Sequence, residues 1–188
     1  MAKKVLTTGE IESLVEKAQS GDTGAFGDLY DFFIDPIYRY VFFKVKKDDA
    51  LDLTENVFLK VWENIGSYRL TSGSSFSSWV YRIAHNAVVD YYRMEKEHAE
   101  LDANTADERK HNDPVVMTER KLGQDALKSA LSKLKKPYQQ IILMKYINEL
   151  ENHEIAKVLR KSEGSIRILK FRALKALKRI LEEMRITY

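Results

Sequence analysis

The stretch Asn152-His153-Glu154-Ile155-Ala156-Lys157-Val158-Leu159-Arg160-Lys161-Ser162-Glu163-Gly164-Ser165-Ile166-Arg167-Ile168-Leu169-Lys170-Phe171-Arg172, running on to Met184, decides how this chain is read. A short apolar-periodic piece, Glu154 to Leu159, meets a polar break at Arg160-Lys161-Ser162, and a long basic run follows. Ser162 is a good N-cap and Glu163 suits the positive end of a helix, so the spacing predicts a new helix from that point. Ile155, Ala156 and Leu159 share one face of the first helix, and Ile166 and Leu169 share one face of the second. Two helices locked by such a seam across a tight turn form a helix-turn-helix, whose second helix enters a DNA major groove N-terminus first.

On a wheel of about 100° per residue, Ile166, Leu169, Ala173, Leu174, Leu177, Ile180, Leu181 and Met184 gather on one side. Arg167, Arg172, Lys175, Lys178 and Arg179 gather on the other. A solvated amphipathic helix shows the same division. Three features argue for more. The outer face is almost purely basic, Ile168 and Phe171 sit within it, and Gly164 occupies the first turn at a cost of roughly 1 kcal/mol relative to Ala. A glycine there suits close approach of the backbone to a partner.

Charge supports the same direction. Residues 122–188 carry 15 Lys and Arg against 7 Asp and Glu, a net of +8, whereas residues 1–121 are net −5. A basic C-terminal half suits phosphates, and an acidic N-terminal half suits other partners. With 44% hydrophobic and 31% charged residues the chain is globular in composition. The absence of cysteine excludes disulfides and thiolate metal sites and points to a reducing cytoplasm. No apolar run approaches the ~20 residues of a membrane span, and the N-terminus lacks the features of a signal peptide.

Moving toward the N-terminus, Pro137 fits the first turn of a helix carrying Ile141, Ile142, Met144 and Ile147, and Leu122 to Leu134 shows helical spacing before it. Residues 98–121 break every periodicity and read as a linker. Upstream, residues 9–46 read as two helices, with a kink or restart expected at Asp35-Pro36. A helix follows from Ala50 to Ile65, with Leu51, Val57, Phe58, Val61, Trp62 and Ile65 as its inner stripe and Asp52, Glu55, Asn56 and Lys60 outside. After a Ser/Gly loop, Ser67 to Ser75, another helix runs from Phe76 to about Glu97. Phe76, Val80, Ile83, Ala87 and Tyr91 form its core face, and Ser77, Tyr81, Arg82, His85 and Tyr92 face outward. Aromatic and polar side chains interleaved beside a loop suit the gripping of unstacked bases, each stack worth ~1–3 kcal/mol. A partly exposed helix of a bundle has the same pattern. No stretch alternates as a strand does, so the expected fold is all-α: two helical domains, 9–97 and 122–188, joined by a flexible linker.

Nothing in the sequence asks for catalysis. His85, His98, His111 and His153 are scattered. His153-Glu154 opens like a zinc-protease helix, but Lys157 stands where the second histidine belongs. No phosphate-binding glycine loop or nucleophile elbow is present, and no cofactor is expected.

Two blocks resemble the bacterial extracytoplasmic-function sigma factors, the small specificity subunits of RNA polymerase. One is Asp52-Leu53-Thr54-Glu55-Asn56-Val57-Phe58-Leu59-Lys60-Val61-Trp62 with Ser75 to Asn86 and Asp90-Tyr91-Tyr92-Arg93, similar to the sigma-2 domain. The other runs from Leu131-Ser132-Lys133-Leu134 through Glu154-Ile155-Ala156 to Gly164-Ser165-Ile166-Arg167 and Arg172-Ala173-Leu174, similar to the sigma-4 domain. The resemblance implies that Asp52, Glu55, Asn56 and Lys60 dock on core RNA polymerase. It implies that Tyr68, Arg69, Phe76, Ser77, Tyr81, Arg82, His85 and Asn86 capture the downstream promoter element as single strand. Ser162, Gly164, Ser165, Arg167, Ile168, Lys170, Phe171, Arg172 and Lys175 would read the upstream element as duplex DNA. An anti-sigma factor is an expected partner. The sequence departs from the family at Glu55, where Gln is frequent, at Lys135-Lys136-Pro137, at Ile168, and at Glu149 and Arg160, where a glycine or small residue is usual. Two other readings remain open on these residues: a helix-turn-helix regulator that binds operators without polymerase, and a helical protein-interaction adaptor.

Overall fold

The computed structural model describes residues 6–70, 75–101 and 127–184. All regular structure among them is helical: α1 Thr8–Gln19, α2 Thr23–Phe42, α3 Ala50–Asn64, α4 Phe76–Leu101, α5 at 127–132, α6 Lys136–Ile142, α7 Asn152–Leu159 and α8 Glu163–Glu183. Helices α1–α4 form one domain and α5–α8 the other. Most of the segment read as a linker, and the centre of the Ser67–Ser75 loop, lie outside the described residues; α4 continues to Leu101, into the first part of that segment.

Local chemistry sets the helix starts. Thr7 and Glu10 form a capping box on α1, with the Glu10 carboxylate accepting from the Thr7 N–H at 2.7 Å. Asp22 accepts from the Ala25 N–H at 3.0 Å to start α2. Ser75 and Ser78 cap α4 reciprocally, each hydroxyl accepting the other's N–H at 3.1 Å. At Asp35-Pro36, where the sequence predicts a kink or restart, α2 does not restart but runs through the proline. Ile37, Tyr40 and Val41 on the far side of Pro36 are fully buried, and that burial outweighs the lost backbone bond.

The core of the first domain is aromatic. The Phe76 ring meets Phe33 at 5.7 Å and Tyr68 at 5.2 Å, and Tyr40 meets Tyr81 edge-on at 5.8 Å. Gln19 ties α1 to the segment after α3 by donating to the Ile65 and Tyr68 carbonyls at 2.8 and 2.9 Å. In the second domain Pro137 lies in the first turn of α6, as its sequence predicts, and α6 passes into a π-turn at Leu143–Ile147. Glu149 (φ 58°) and Arg160 (φ 51°) bracket α7 in the left-handed region. These are the two positions where the sequence lacks the family's small turn residue, and each costs roughly 1–2 kcal/mol of local strain. No described helix is long and apolar enough to cross a membrane.

The two domains meet along a seam. Helix α7 packs on α4 as well as on α8, and the π-turn packs on α2. Asn148 donates to the Pro36 carbonyl at 2.6 Å, and the Ser75 hydroxyl reaches the Glu154 carboxylate at 2.5 Å. The Lys128 ammonium sits 3.9 Å over the Phe42 ring.

Candidate nucleic-acid interface

The turn before α8 forms as its residues dictate. Arg160 turns left-handed, the Lys161 N–H closes on the Ala156 carbonyl at 2.9 Å, and the Ser162 hydroxyl accepts the Ser165 N–H at 3.2 Å. Ile155 and Ile166 are fully buried and lock α7 to α8. Ala173, Ile180 and Leu181 continue the inner stripe, Leu169, Leu177 and Met184 are half-buried, and Leu174 is exposed.

The outer face of α8 is open. Ser162, Gly164, Ser165, Arg167, Ile168, Phe171, Arg172 and Lys175 are all exposed, and Lys170 is half-buried. Phe171 is 70% exposed and Ile168 54%, in a row of cations. A side chain added at Gly164 would meet nothing nearer than the Ser162 oxygen at 4.0 Å, so internal packing places no demand for glycine there. Arg167 pairs loosely with Glu163 at 3.6 Å on the same face, a contact that leaves it available to an outside acceptor.

The face of α4 is different. Asn86 and Arg69 are exposed, Ser77, Arg82 and His85 are half-buried, and Tyr68, Phe76 and Tyr81 are buried. Phe76 and Tyr68 belong to the aromatic core. Tyr81, expected to face outward, is 2% exposed because it packs edge-on against Tyr40 and shares its surroundings with Ile147, Asn148 and Leu150 of the second domain. Burial holds its phenol well above the ordinary range. His85 sits between Tyr40 Oη at 3.2 Å and the Gln140 amide at 3.3 Å, and burial, then nearby Lys44, lowers its pKa. Arg82 lines a cleft with Arg160, Lys161 and Glu163, so the α4 surface and the start of α8 confront one another. Three buried side-chain atoms at the seam lack a hydrogen-bond partner among the described residues, Arg82 Nε, Asn148 Oδ1 and Asn152 Oδ1, while the Tyr81 hydroxyl lies by the Asn148 side chain. A buried polar group left so costs about 1–3 kcal/mol.

On α3 the expected outer residues Asp52, Glu55 and Asn56 are exposed and Lys60 is half-buried. The expected inner stripe is only partly inward. Leu51 is 55% and Trp62 41% exposed, and Leu59 is 62% exposed. Leu51, Glu55, Leu59 and Trp62 recur at helical spacing, so α3 presents an apolar stripe threaded with carboxylates. Trp62 keeps one ring edge on Phe26 at 4.7 Å, which explains why its spacing reads as core. Residues at the seam, notably Gln139, Gln140 and Asn148, carry no sequence signal of their own, since their partners lie far away in the chain.

No group of His, Asp and Glu that could hold a metal ion occurs among the described residues.

Comparison with known proteins adds independent support. Residues 29–98 match the Sigma-70 region 2 family and residues 124–177 match Sigma-70, region 4. The chain is 36% identical to the ECF RNA polymerase sigma factor BldN of Streptomyces coelicolor over 90% of its own length and 65% of that protein's. It is 29% identical to the ECF RNA polymerase sigma factor SigW of Bacillus subtilis, over 93% of this chain and 98% of that one. The fold resembles CnrH, solved in complex with the cytosolic domain of CnrY, with a TM-score of 0.72 at 21% identity, covering 93% of this chain and 98% of that one. It also resembles RpoE of Bartonella quintana, solved with the anti-sigma factor NepR, with a TM-score of 0.71 at 18% identity, over 84% and 96% of the two chains. With both conserved regions present in order and relatives matched across nearly its whole length, the chain belongs to the sigma-70 family of RNA polymerase sigma factors, in its extracytoplasmic-function group.

Proposed function

We propose that the protein binds core RNA polymerase in the cytoplasm and directs it to promoters, contributing recognition while the polymerase supplies the chemistry. The observation that carries this reading is the outer face of α8, where Arg167, Ile168, Phe171 and Arg172 stand exposed behind a capped N-terminus. Lysines and arginines there neutralise phosphates, so duplex affinity falls steeply with salt. Arg167, Phe171 and their neighbours from Ser162 to Lys175 discriminate bases in the upstream element, each good contact worth ~1–3 kcal/mol.

In this reading residues 9–97 hold the polymerase and the downstream element, and residues 122–188 hold the upstream one. Asp52, Glu55 and Asn56, together with Leu51, Leu59 and Trp62, make the docking face of α3. Apolar side chains rimmed by carboxylates suit a protein partner with basic edges. Arg69, Ser77, Arg82, His85 and Asn86 line the single-strand grip. Seating on polymerase parts the two domains and frees the polar side chains of α4 that the seam covers. An anti-sigma factor, the kind of partner with which RpoE of Bartonella quintana was solved, is the expected inhibitor.

Reconstituted run-off transcription with core polymerase on a genomic fragment library tests the reading. Discrete transcripts that appear only when the protein is added are the expected result. Failure of the chain to co-elute with core polymerase would sink it, and specific duplex binding without polymerase would favour an operator-binding regulator.

A further inference from the structure

A cleft of about 420 Å³ opens between the domains at the end of the seam away from α7. Its walls come from the turn after α2 and the α4 region on one side and from α5 and α6 on the other. Among the described residues five lysines line it, Lys44, Lys46 and Lys47 from the first domain and Lys128 and Lys136 from the second, with the carboxylate of Glu95. Lys46 already pairs with Glu95. Lys44 is only 7% exposed, no salt bridge to a carboxylate is formed by its ammonium among the described residues, and the ammonium lies over the Tyr40 ring, 5.5 Å from its centre. Lys136 lies 4.3 Å over the Tyr92 ring, whose hydroxyl donates to the Lys44 carbonyl.

Lys44 and Lys136 thus oppose one another as like charges, one from each domain, across an open cleft. Burial first, and Lys136 across the cleft second, together lower the Lys44 pKa to about 8. An anion seated between the two ammonium groups offsets their repulsion. The volume falls within the range of small-molecule sites. Phe43, Tyr91 and Tyr92 supply aromatic surface beside the cations. The depth of Lys44 and the walls from both domains favour a compact, multiply charged ligand over a through-running strand.

We propose that this cleft binds a small molecule bearing a polyphosphate chain, held by lysines of both domains, and that its occupancy stabilises the closed arrangement. The inference rests on the closed geometry and not on the promoter reading. A ligand that binds only the closed state shifts the equilibrium toward it by mass action. Bare polyphosphate and a nucleoside polyphosphate share the required chemistry, and the aromatic walls distinguish them.

The test titrates the full chain with sodium tripolyphosphate, and separately with ATP, at constant ionic strength, following heat and the thermal midpoint. Saturable binding with a rise in midpoint is expected. Lys136→Gln, an exposed change that leaves the fold intact, should weaken binding about tenfold, and Lys44→Met should weaken it at least as much. Lys178→Gln, on the surface of α8, should leave it unchanged. Tighter binding of ATP than of tripolyphosphate identifies a nucleotide site, and equal binding identifies a bare polyphosphate site. Absence of saturable binding overturns the proposal, as does undiminished binding by Lys136→Gln. Preferential binding of oligothymidylate, lost in the same variants, also overturns it and assigns the cleft to a DNA strand.

Discussion

Helices α4 and α8 carry the two candidate DNA grips, and the structure treats them in opposite ways. The outer face of α8 lies bare among the described residues, with Phe171 70% exposed and no other described helix laid over it. The matching face of α4 is covered by α7, Tyr81 is buried beside Ile147 and Asn148, and Arg82 Nε has no partner among the described residues. On the proposed reading, the contrast makes one candidate grip ready and leaves the other in store. A duplex reader requires only a preformed helix. A single-strand reader gains from being hidden until the strands are parted, since exposed aromatic and basic surface otherwise binds nucleic acid without discrimination.

The strongest way to break this contrast is to damage the ready grip. Phe171→Ala and Arg167→Ala should each lower promoter-specific run-off transcription by about tenfold or more, with co-elution on core polymerase unchanged. Normal transcription by both variants would overturn the assignment of α8. The stored grip is tested next. Asn148→Asp replaces the amide that donates to the Pro36 carbonyl with a carboxylate facing that oxygen. A buried charge without a partner should raise the open population about tenfold, read as faster amide hydrogen exchange along α4 with α8 unaffected. Equal exchange in both helices would mean global loosening and would remove the distinction.

Smaller effects sharpen the same picture. The His85 pKa is lowered by burial and by Lys44, so the closed arrangement favours the neutral ring. Stability gained from this is present above the ordinary histidine value of about 6.5 and is lost as pH falls. Closure measured by energy transfer between labels on α3 and α8 should therefore loosen between pH 7.5 and 5.5, and His85→Gln should flatten the profile. The least effect is expected at the turn. Arg160→Gly relieves left-handed strain of roughly 1–2 kcal/mol, partly offset by the glycine's greater freedom when unfolded, and should raise the urea midpoint slightly.

Much of α8 was legible in the sequence because its signals are local. Ser162 caps through a residue three places on, and Ile166, Ala173 and Ile180 repeat at the helical period. The exposed acids of α3 were legible for the same reason. Tyr81 was not, since the periodicity of α4 says which side faces its own bundle but not that a second domain covers the other side. Leu51 and Trp62 misled in the opposite sense: apolar residues at helical spacing read as core, and a docking stripe has the same spelling. Pro36 read as an interruption because local chemistry forbids it, while distant packing of Ile37 and Tyr40 decides the outcome. The burial of Lys44 depends on neighbours at both ends of the chain and leaves no trace in its own segment.

Helix α7 leans on α4 with one side and on α8 with another. It is eight residues long and fixed at both ends by left-handed turns. Any shift of this short piece is therefore felt by both candidate promoter grips at once. A genetic selection for suppressors of a crippled α8 should return changes in α7 that trade one defect for another, and no single substitution there should separate the two phenotypes.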